Sequence, residues 1–93
     1  MRRLLLRTEP FERFLKKRLK GQPQLRDSVA DTLQALSNDA FDPTLKTHKL
    51  HGNLAGYWAC NVSYEWRVIF EFVQHDGSEA ILLHNFGTHD QVY

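Results

Sequence analysis

The 93-residue sequence predicts an α+β fold in which a helical hairpin packs on a small antiparallel sheet, with the element order β-α-α-β-β-β. Three observations predict it. Two segments with apolar residues at helical spacing follow one another in the first half of the chain. The second half contains runs that alternate between apolar and polar residues, as half-buried strands do. The pair Asp76-Gly77 lies between two such runs and is typical of a two-residue hairpin turn. We expect a single domain over residues 1–93.

The first half of the chain carries one strand and the two helices. Residues 2–7 are a short apolar strand flanked by arginines. Thr8 is a suitable helix N-cap, Gly21 is suited to ending the first helix, and Pro23 to beginning the second. The apolar stripe of the first helix consists of Phe11, Phe14, Leu15 and Leu19, and that of the second of Leu25, Val29, Leu33 and Leu36.

The second half begins with a long polar loop over residues 38–56, of a length that often carries function. We expect strands over residues 57–62, 66–73 and 80–86, with a turn at residues 63–65. The middle strand has two faces. One should carry Arg67, Ile69 and Glu71, and the other Trp66, Val68, Phe70 and Phe72. The helical hairpin would cover one face of the sheet and leave the other partly open.

Composition and charge exclude several classes of protein. No run approaches the ~18 apolar residues of a membrane span, and residues 1–7 are too short an apolar region for a signal peptide. The single cysteine, Cys60, excludes an internal disulfide, so we expect a cytoplasmic protein. Residues 1–26 carry a charge of about +7 and the remainder about −6. Such a basic segment either binds a polyanion or is a solvated helix face, and both interpretations remain open.

The histidines and cations of the long loop and the C-terminal tail are candidates for phosphodiester chemistry. RNA cleavage without a metal needs a base for the 2′-hydroxyl, cations for the charge on phosphorus, and an acid for the leaving oxygen. Histidine suits either proton role, lysine and arginine suit the electrostatic one, and an exposed aromatic ring can stack on a base. The candidates are Lys46, His48, Lys49, His51, Arg67, His89 and Tyr93.

Other interpretations of these residues exist. His48 and His51 could bind a metal with His89 or Cys60 as third ligand, but only the ligand types suggest it, so we expect no metal and no cofactor. Cys60 falls in the middle of a strand without the signature of a nucleophile. The remaining two histidines are expected to be a solvent-exposed side chain and a partly buried, hydrogen-bonded one, namely His75 and His84.

Four segments taken together resemble the RelE/ParE toxin superfamily, in particular its YafQ-like and RelE/StbE-like branches. In chain order they are residues 45–52, 56–57, 66–70 and 87–93. The β-α-α-β-β-β order is also that of the superfamily. The resemblance implies a toxin of a type II toxin–antitoxin system that cuts messenger RNA in the ribosomal A site. It further implies a cognate antitoxin as partner, with operator DNA contacted only through the toxin–antitoxin complex.

The resemblance also implies roles for particular residues. His48 and His89 correspond to catalytic histidines, one as general base and the other as general acid, with His48 as base in the preferred assignment. Tyr93 corresponds to an aromatic terminal residue at the substrate, and Arg67 to a cation that stabilises the transition state. The substrate-binding set would be Lys46, Lys49, His51, Asn61 and Glu65.

Two positions depart from the YafQ-like pattern. Asn61 stands where that branch has histidine, and Glu65 where it has aspartate. Asparagine cannot transfer a proton at neutral pH, although it can orient a substrate by hydrogen bonds. The histidine pair would then carry more of the chemistry. A ParE-type toxin that acts on DNA gyrase, and an inactive antitoxin-binding module, are the alternatives.

Overall fold

A five-stranded mixed sheet with helices on both of its faces forms the fold of residues 2–93, which are the residues that the computed structural model describes. The elements in chain order are β1 (Leu5–Arg7), α1 (Glu9–Leu19), α2 (Pro23–Asn38), a 3₁₀ helix (Pro43–Leu45), β2 (His48–Lys49), a second 3₁₀ helix (Gly52–Leu54), β3 (Trp58–Asn61), β4 (Trp66–His75), β5 (Ser78–Thr88) and α3 (His89–Val92). The strand order across the sheet is β1-β5-β4-β3-β2. Among residues 2–93, none of the helices combines the length and the apolar character that a membrane span requires.

The two predicted helices begin and end at the expected residues. The Thr8 hydroxyl oxygen accepts a hydrogen bond from the Phe11 amide at 3.2 Å and donates one to the Leu83 carbonyl at 2.8 Å. The N-cap of α1 is therefore also its anchor to β5. Gly21 adopts φ +74° in the turn between the helices, a conformation that favours glycine, and Pro23 starts α2.

The main core lies between the helical hairpin and one sheet face. The predicted stripe of α2 is confirmed, since its four residues are each at most 9% exposed. It packs with Phe11 of α1 and with the apolar face of β4. The opposite sheet face carries a smaller cluster of Ala59, Ile69 and Val92, the last contributed by α3. The predicted division of β4 into two faces is thus confirmed.

The first strand is shorter than predicted, and the sheet is mixed rather than wholly antiparallel. The Arg3 amide donates to the Ser37 carbonyl at 2.8 Å, so the backbone of Arg3 is bonded to the end of α2, and bonding to β5 begins at the Leu4 carbonyl. Leu5–Arg7 pairs with β5 in parallel. No tight turn joins these two strands, because both helices and the rest of the sheet lie between them in sequence.

The hairpin strands extend beyond their predicted ends. The Asp76-Gly77 turn has φ angles of +51° and +81°, as a two-residue hairpin turn requires, and pairs His75 directly with Ser78. Pairing at this turn accounts for the added residues 74–75 and 78–79, and pairing with the start of β4 accounts for residues 87–88. Four short elements were not predicted, namely the two 3₁₀ helices, the two-residue β2 and the four-residue α3, because they are too short to have a hydrophobic period.

Candidate active site

A cleft of about 750 Å³ opens on the sheet face that α1 and α2 leave uncovered. No acidic residue lines it in the described part of the chain. The lining residues are Lys46, His48, Lys49, Leu50, His51, Asn53, Leu54, Asn61, Arg67, His89 and Tyr93. The structure therefore brings together every residue of the predicted site except Glu65. Leu50, Asn53 and Leu54 were not predicted as site residues, although they belong to the loop whose length predicted a functional role.

Strand register sets the floor of the cleft. Asn61 of β3 lies opposite Arg67 of β4, and Arg67 lies opposite Gly87 of β5. Two residue pairs further along, and so on the same face, His48 of β2 lies opposite Ala59 of β3. Directly paired residues of a sheet point to the same face. Three neighbouring strands thus aim His48, Asn61 and Arg67 to one side of the sheet.

The backbone at Lys46 determines the orientation of His48. Lys46 has φ +51° and ψ +42°, a left-handed conformation that is uncommon outside glycine. Its carbonyl oxygen lies 2.8 Å from Nδ1 of His48. A carbonyl can only accept, so Nδ1 of His48 carries a hydrogen and Nε2 of the neutral ring is left with its lone pair. That lone pair is what a general base requires.

Tyr93 lies next to His48 in the cleft. Its hydroxyl lies 3.4 Å from Nε2 of His48, a long hydrogen bond in which the phenol is the donor. Partial burial desolvates the phenolate and raises the pKa of Tyr93, and the positive charge of Arg67 lowers it by less. The side chain is consequently a neutral phenol at physiological pH and acts as a hydrogen-bond donor.

His89 is the first residue of α3 and is fixed by its backbone. Its amide donates to the Glu65 carbonyl at 3.2 Å, across the end of the β3–β4 turn. Its ring lies against that of Tyr93, with 4.4 Å between centroids and an interplanar angle of 67°. The side chain remains about two-thirds exposed, and its Nδ1 is 3.6 Å from an oxygen of Asp90. His89 can therefore exchange protons with solvent while lining the cleft.

Arg67 is oriented by the turn beside it. Its Nη1 donates to the carbonyls of Ser63, Tyr64 and Trp66 at 3.1, 3.2 and 3.0 Å. This single nitrogen makes all the hydrogen bonds that the described structure gives to the guanidinium. The other donors of the fork can bind an anion.

The remaining predicted residues differ in how they meet the cleft. His51 lines it at the start of the second 3₁₀ helix. Lys49 also lines it, but its ammonium lies 5.6 Å from the centre of the Trp58 ring, and Trp58 packs with the main core. Because β2 alternates, Lys49 points away from the face that carries His48. The Glu65 side chain is exposed and does not line the cleft, and Glu65 contributes its carbonyl to His89 instead.

The cysteine and the two other histidines lie apart from the cleft. Cys60 is fully buried, and desolvation raises the pKa of its thiol to about 12, so it is not a nucleophile at neutral pH. His84 is partly buried with Nε2 3.2 Å from Glu71, and His75 is exposed beside the hairpin turn, both as predicted. The described residues contain no cluster of three His, Cys, Asp or Glu side chains suited to a metal.

Solved structures of bacterial toxins share this fold. YafQ from E. coli strain BL21(DE3) superposes with a TM-score of 0.78 and 18% identity, over 98% of this chain and 98% of that chain. A YoeB/ParE toxin from Agrobacterium tumefaciens gives a TM-score of 0.76 and 16% identity, over 92% and 98%. The toxin of the E. coli DinJ-YafQ toxin-antitoxin complex gives 0.76 and 19%, over 100% and 99%. These similarities show that the chain has the fold of these toxins.

A family model for the YafQ bacterial toxin of type II toxin–antitoxin systems matches residues 3–93. The chain therefore belongs to the YafQ family of type II toxins. No curated protein has a significantly similar sequence.

Proposed function

We propose that this toxin is a ribosome-dependent endoribonuclease that cuts messenger RNA and so inhibits translation. The observation that carries the proposal is the placement of two histidines, a phenol and the cations Lys46 and Arg67 around one cleft free of acidic side chains among the described residues. General base, general acid and charge stabilisation are the three requirements of 2′-hydroxyl attack, and each has a candidate here.

In the proposed reaction, Nε2 of His48 removes the proton of the 2′-hydroxyl. The 2′-oxygen then attacks phosphorus, and the bond from phosphorus to the 5′-oxygen breaks. His89, in its protonated form, donates a proton to that leaving oxygen. The products are a 2′,3′-cyclic phosphate and a free 5′-hydroxyl, and no metal or cofactor is needed to balance the step.

The cations and polar groups on the cleft floor would hold the phosphate. The free donors of Arg67 match the geometry of a phosphoryl oxygen pair, and Lys46 adds a second positive charge. Asn61 lies opposite Arg67 in the sheet and can donate to the same group. Since Lys49 points to the other face, we propose that it contacts RNA outside the cleft. His51 would contact the substrate at the rim.

Tyr93 has a different role in the free enzyme and in the reaction. In the free protein its hydroxyl occupies the lone pair of His48 that the base needs. We propose that the substrate 2′-hydroxyl replaces it there and that the phenol moves to the phosphate or stacks on a base. The tyrosine would thus orient the histidine before substrate binds.

A cognate antitoxin is the implied partner. The E. coli YafQ structure in complex with DinJ is of a toxin bound to an antitoxin. We propose that an antitoxin of this chain covers the cleft, that the pair contacts operator DNA chiefly through the antitoxin, and that both act in the cytoplasm.

Cleavage of a translated message by the purified protein tests the proposal. We expect cuts in A-site codons on programmed ribosomes, with 2′,3′-cyclic phosphate ends. His48→Ala and His89→Ala should each slow the single-turnover rate by about 10²–10⁴-fold. His75→Ala is the matched control, since this histidine is exposed and lies outside the cleft. Intact message with both wild-type and control protein, or inhibition of DNA gyrase supercoiling instead, would contradict the proposal.

A further inference from the structure

The β3–β4 turn presents an aromatic side chain to solvent on a rigid support. Tyr64 is 97% exposed, the highest value among the large apolar side chains of the described residues. A backbone hydrogen bond from Val62 to Trp66, at 2.9 Å, closes the turn. Arg67 donates to three carbonyls of the same turn, including that of Tyr64. Tyr64 is therefore held out from the surface by an ordered backbone.

A second cleft, of about 360 Å³, lies between this turn and the first 3₁₀ helix. Its lining residues are Thr44, Lys46, Asn61, Val62, Ser63, Tyr64 and Arg67. Three of these, Lys46, Asn61 and Arg67, also line the larger cleft. The two clefts therefore share one wall, and that wall carries two positive charges.

The far side of the second cleft is not suited to a phosphate. Thr44 has no donor left for an anion, because its amide and hydroxyl both donate to the Asp42 carboxylate, at 2.9 and 2.7 Å. Asp42 therefore places a negative charge next to Thr44, at the side away from the shared wall. An uncharged, flat group is favoured at that side, with the anionic group at the shared wall.

We infer that the second cleft binds the unpaired nucleobase of the nucleotide next to the scissile phosphate, with the ring of Tyr64 stacked on the base. The inference rests on the proposed ribonuclease activity and adds a subsite to it. A phosphodiester held at Lys46 and Arg67 continues into a nucleotide on either side. The first cleft offers Tyr93 to one of them, and the second cleft offers Tyr64 to the other. Stacking of a base on an aromatic ring tolerates any base, so the subsite contributes affinity rather than sequence preference.

Binding to programmed ribosomes tests this subsite separately from the chemistry. The message carries a 2′-O-methyl group at the cleaved nucleotide, which removes the nucleophile and leaves a stable complex. We expect Tyr64→Ala to raise the Kd by about tenfold or more, whereas Tyr64→Trp and Tyr64→Phe, which keep a ring, should stay within about threefold of wild type. Thermal unfolding should be unchanged, because the side chain is almost fully exposed.

An abasic nucleotide identifies the stacked base. Placed on one side of the cut it should weaken wild-type binding and abolish the further effect of Tyr64→Ala, while on the other side the two effects should add. Equal Kd values for Tyr64→Ala and wild type, or additive effects on both sides, would overturn the inference and leave the cleavage proposal intact. A wild-type protein that cleaves no message would overturn both.

Discussion

The hydroxyl of Tyr93 lies 3.4 Å from Nε2 of His48, although 45 positions separate the two residues in the chain. The contact joins the C-terminal end of the chain to the long loop across the cleft. It also shows which nitrogen of His48 faces the substrate side, because the other nitrogen is 2.8 Å from the Lys46 carbonyl.

We predict that Tyr93→Phe and Tyr93→Ala differ in severity. Phenylalanine loses the hydrogen bond that the phenol would donate to the phosphate, worth about 1 kcal/mol or roughly fivefold in kcat/KM. Alanine also loses the ring that contacts His89, so its loss should be larger. Because the pKa of Tyr93 is raised, the hydroxyl stays protonated well above neutrality. The wild-type to Tyr93→Phe ratio should therefore stay constant from about pH 6 to pH 9. A ratio that changed within this range would show that the phenol titrates there.

We predict that Lys46→Gly and Lys46→Ala separate the charge of Lys46 from its backbone conformation. Both variants remove the ammonium, so both should bind RNA less tightly. Glycine adopts φ +51° without strain, whereas alanine there costs about 1 kcal/mol or more. Lys46→Gly should consequently keep His48 oriented and be at least as stable as wild type. The measurements are urea unfolding and the nitrogen chemical shifts of the His48 ring. Identical stability of the two variants would contradict the structure.

The elements that sequence predicted are those whose signals are local. Thr8, Gly21 and Pro23 fixed the helix ends, and Asp76-Gly77 fixed the hairpin turn. The residues of the predicted site also came together, because the alternation of β4 placed Arg67 on the face away from α1 and α2. The sequence did not predict the strand β2, which is two residues long and exists through pairing with β3.

The side-chain alternation along β5 is the clearest case of a feature that no local sequence signal predicts. Ile69 pairs with Asn85 and Phe70 with Leu83, so His84 is an extra residue that forms a β-bulge. Residues 80–83 precede the bulge and residue 86 follows it, and all of them are apolar. Their sequence therefore gives no indication that the alternation changes there. The bulge is what turns Gly87, the partner of Arg67, toward the cleft side.

We predict that Gly87→Ala displaces the C-terminal helix. A Cβ at Gly87 would lie 2.6 Å from a guanidinium nitrogen of Arg18 and 2.8 to 2.9 Å from atoms of Gln91. The Gln91 side chain accepts from the Thr88 amide at 2.8 Å, so its displacement removes a cap of α3. Cleavage should fall by about tenfold or more through loss of the His89 position, and hydrogen exchange at residues 89–93 should rise. Gly77→Ala is the control. It meets open space but has φ +81°, so it should lower stability without affecting the tail.

We predict that Cys60 makes stability fall at alkaline pH. Burial raises the pKa of its thiol to about 12, whereas an unfolded thiol titrates near 8.5. As pH rises, the unfolded state loses this proton first. The contribution of the buried thiol to the free energy of unfolding is fully present below about pH 8.5. It falls by about 1.4 kcal/mol per pH unit up to about pH 12. The free energies of unfolding of wild type and Cys60→Ala are measured in urea at pH 7.5 and pH 10. Between the two pH values, the difference in free energy should shift by roughly 2 kcal/mol in favour of the variant. An unchanged difference would mean that the thiol is solvated.

Arg67 holds the β3–β4 turn by hydrogen bonds and, in the proposed reaction, stabilises the charge on the phosphate. Arg67→Lys keeps the positive charge, but an ammonium on a flexible stem cannot reproduce the planar fork that reaches three carbonyls and still presents free donors. We expect it to lower kcat by about tenfold or more and to increase hydrogen exchange in the turn at residues 63–66. Arg67→Ala should lose activity further through the missing charge. Because the Glu65 carbonyl holds the His89 amide, loosening of the turn should also broaden the His89 ring resonances. If Arg67→Lys retained full activity with a mobile turn, then the charge alone would account for the role of Arg67, and the turn would have no part in positioning His89.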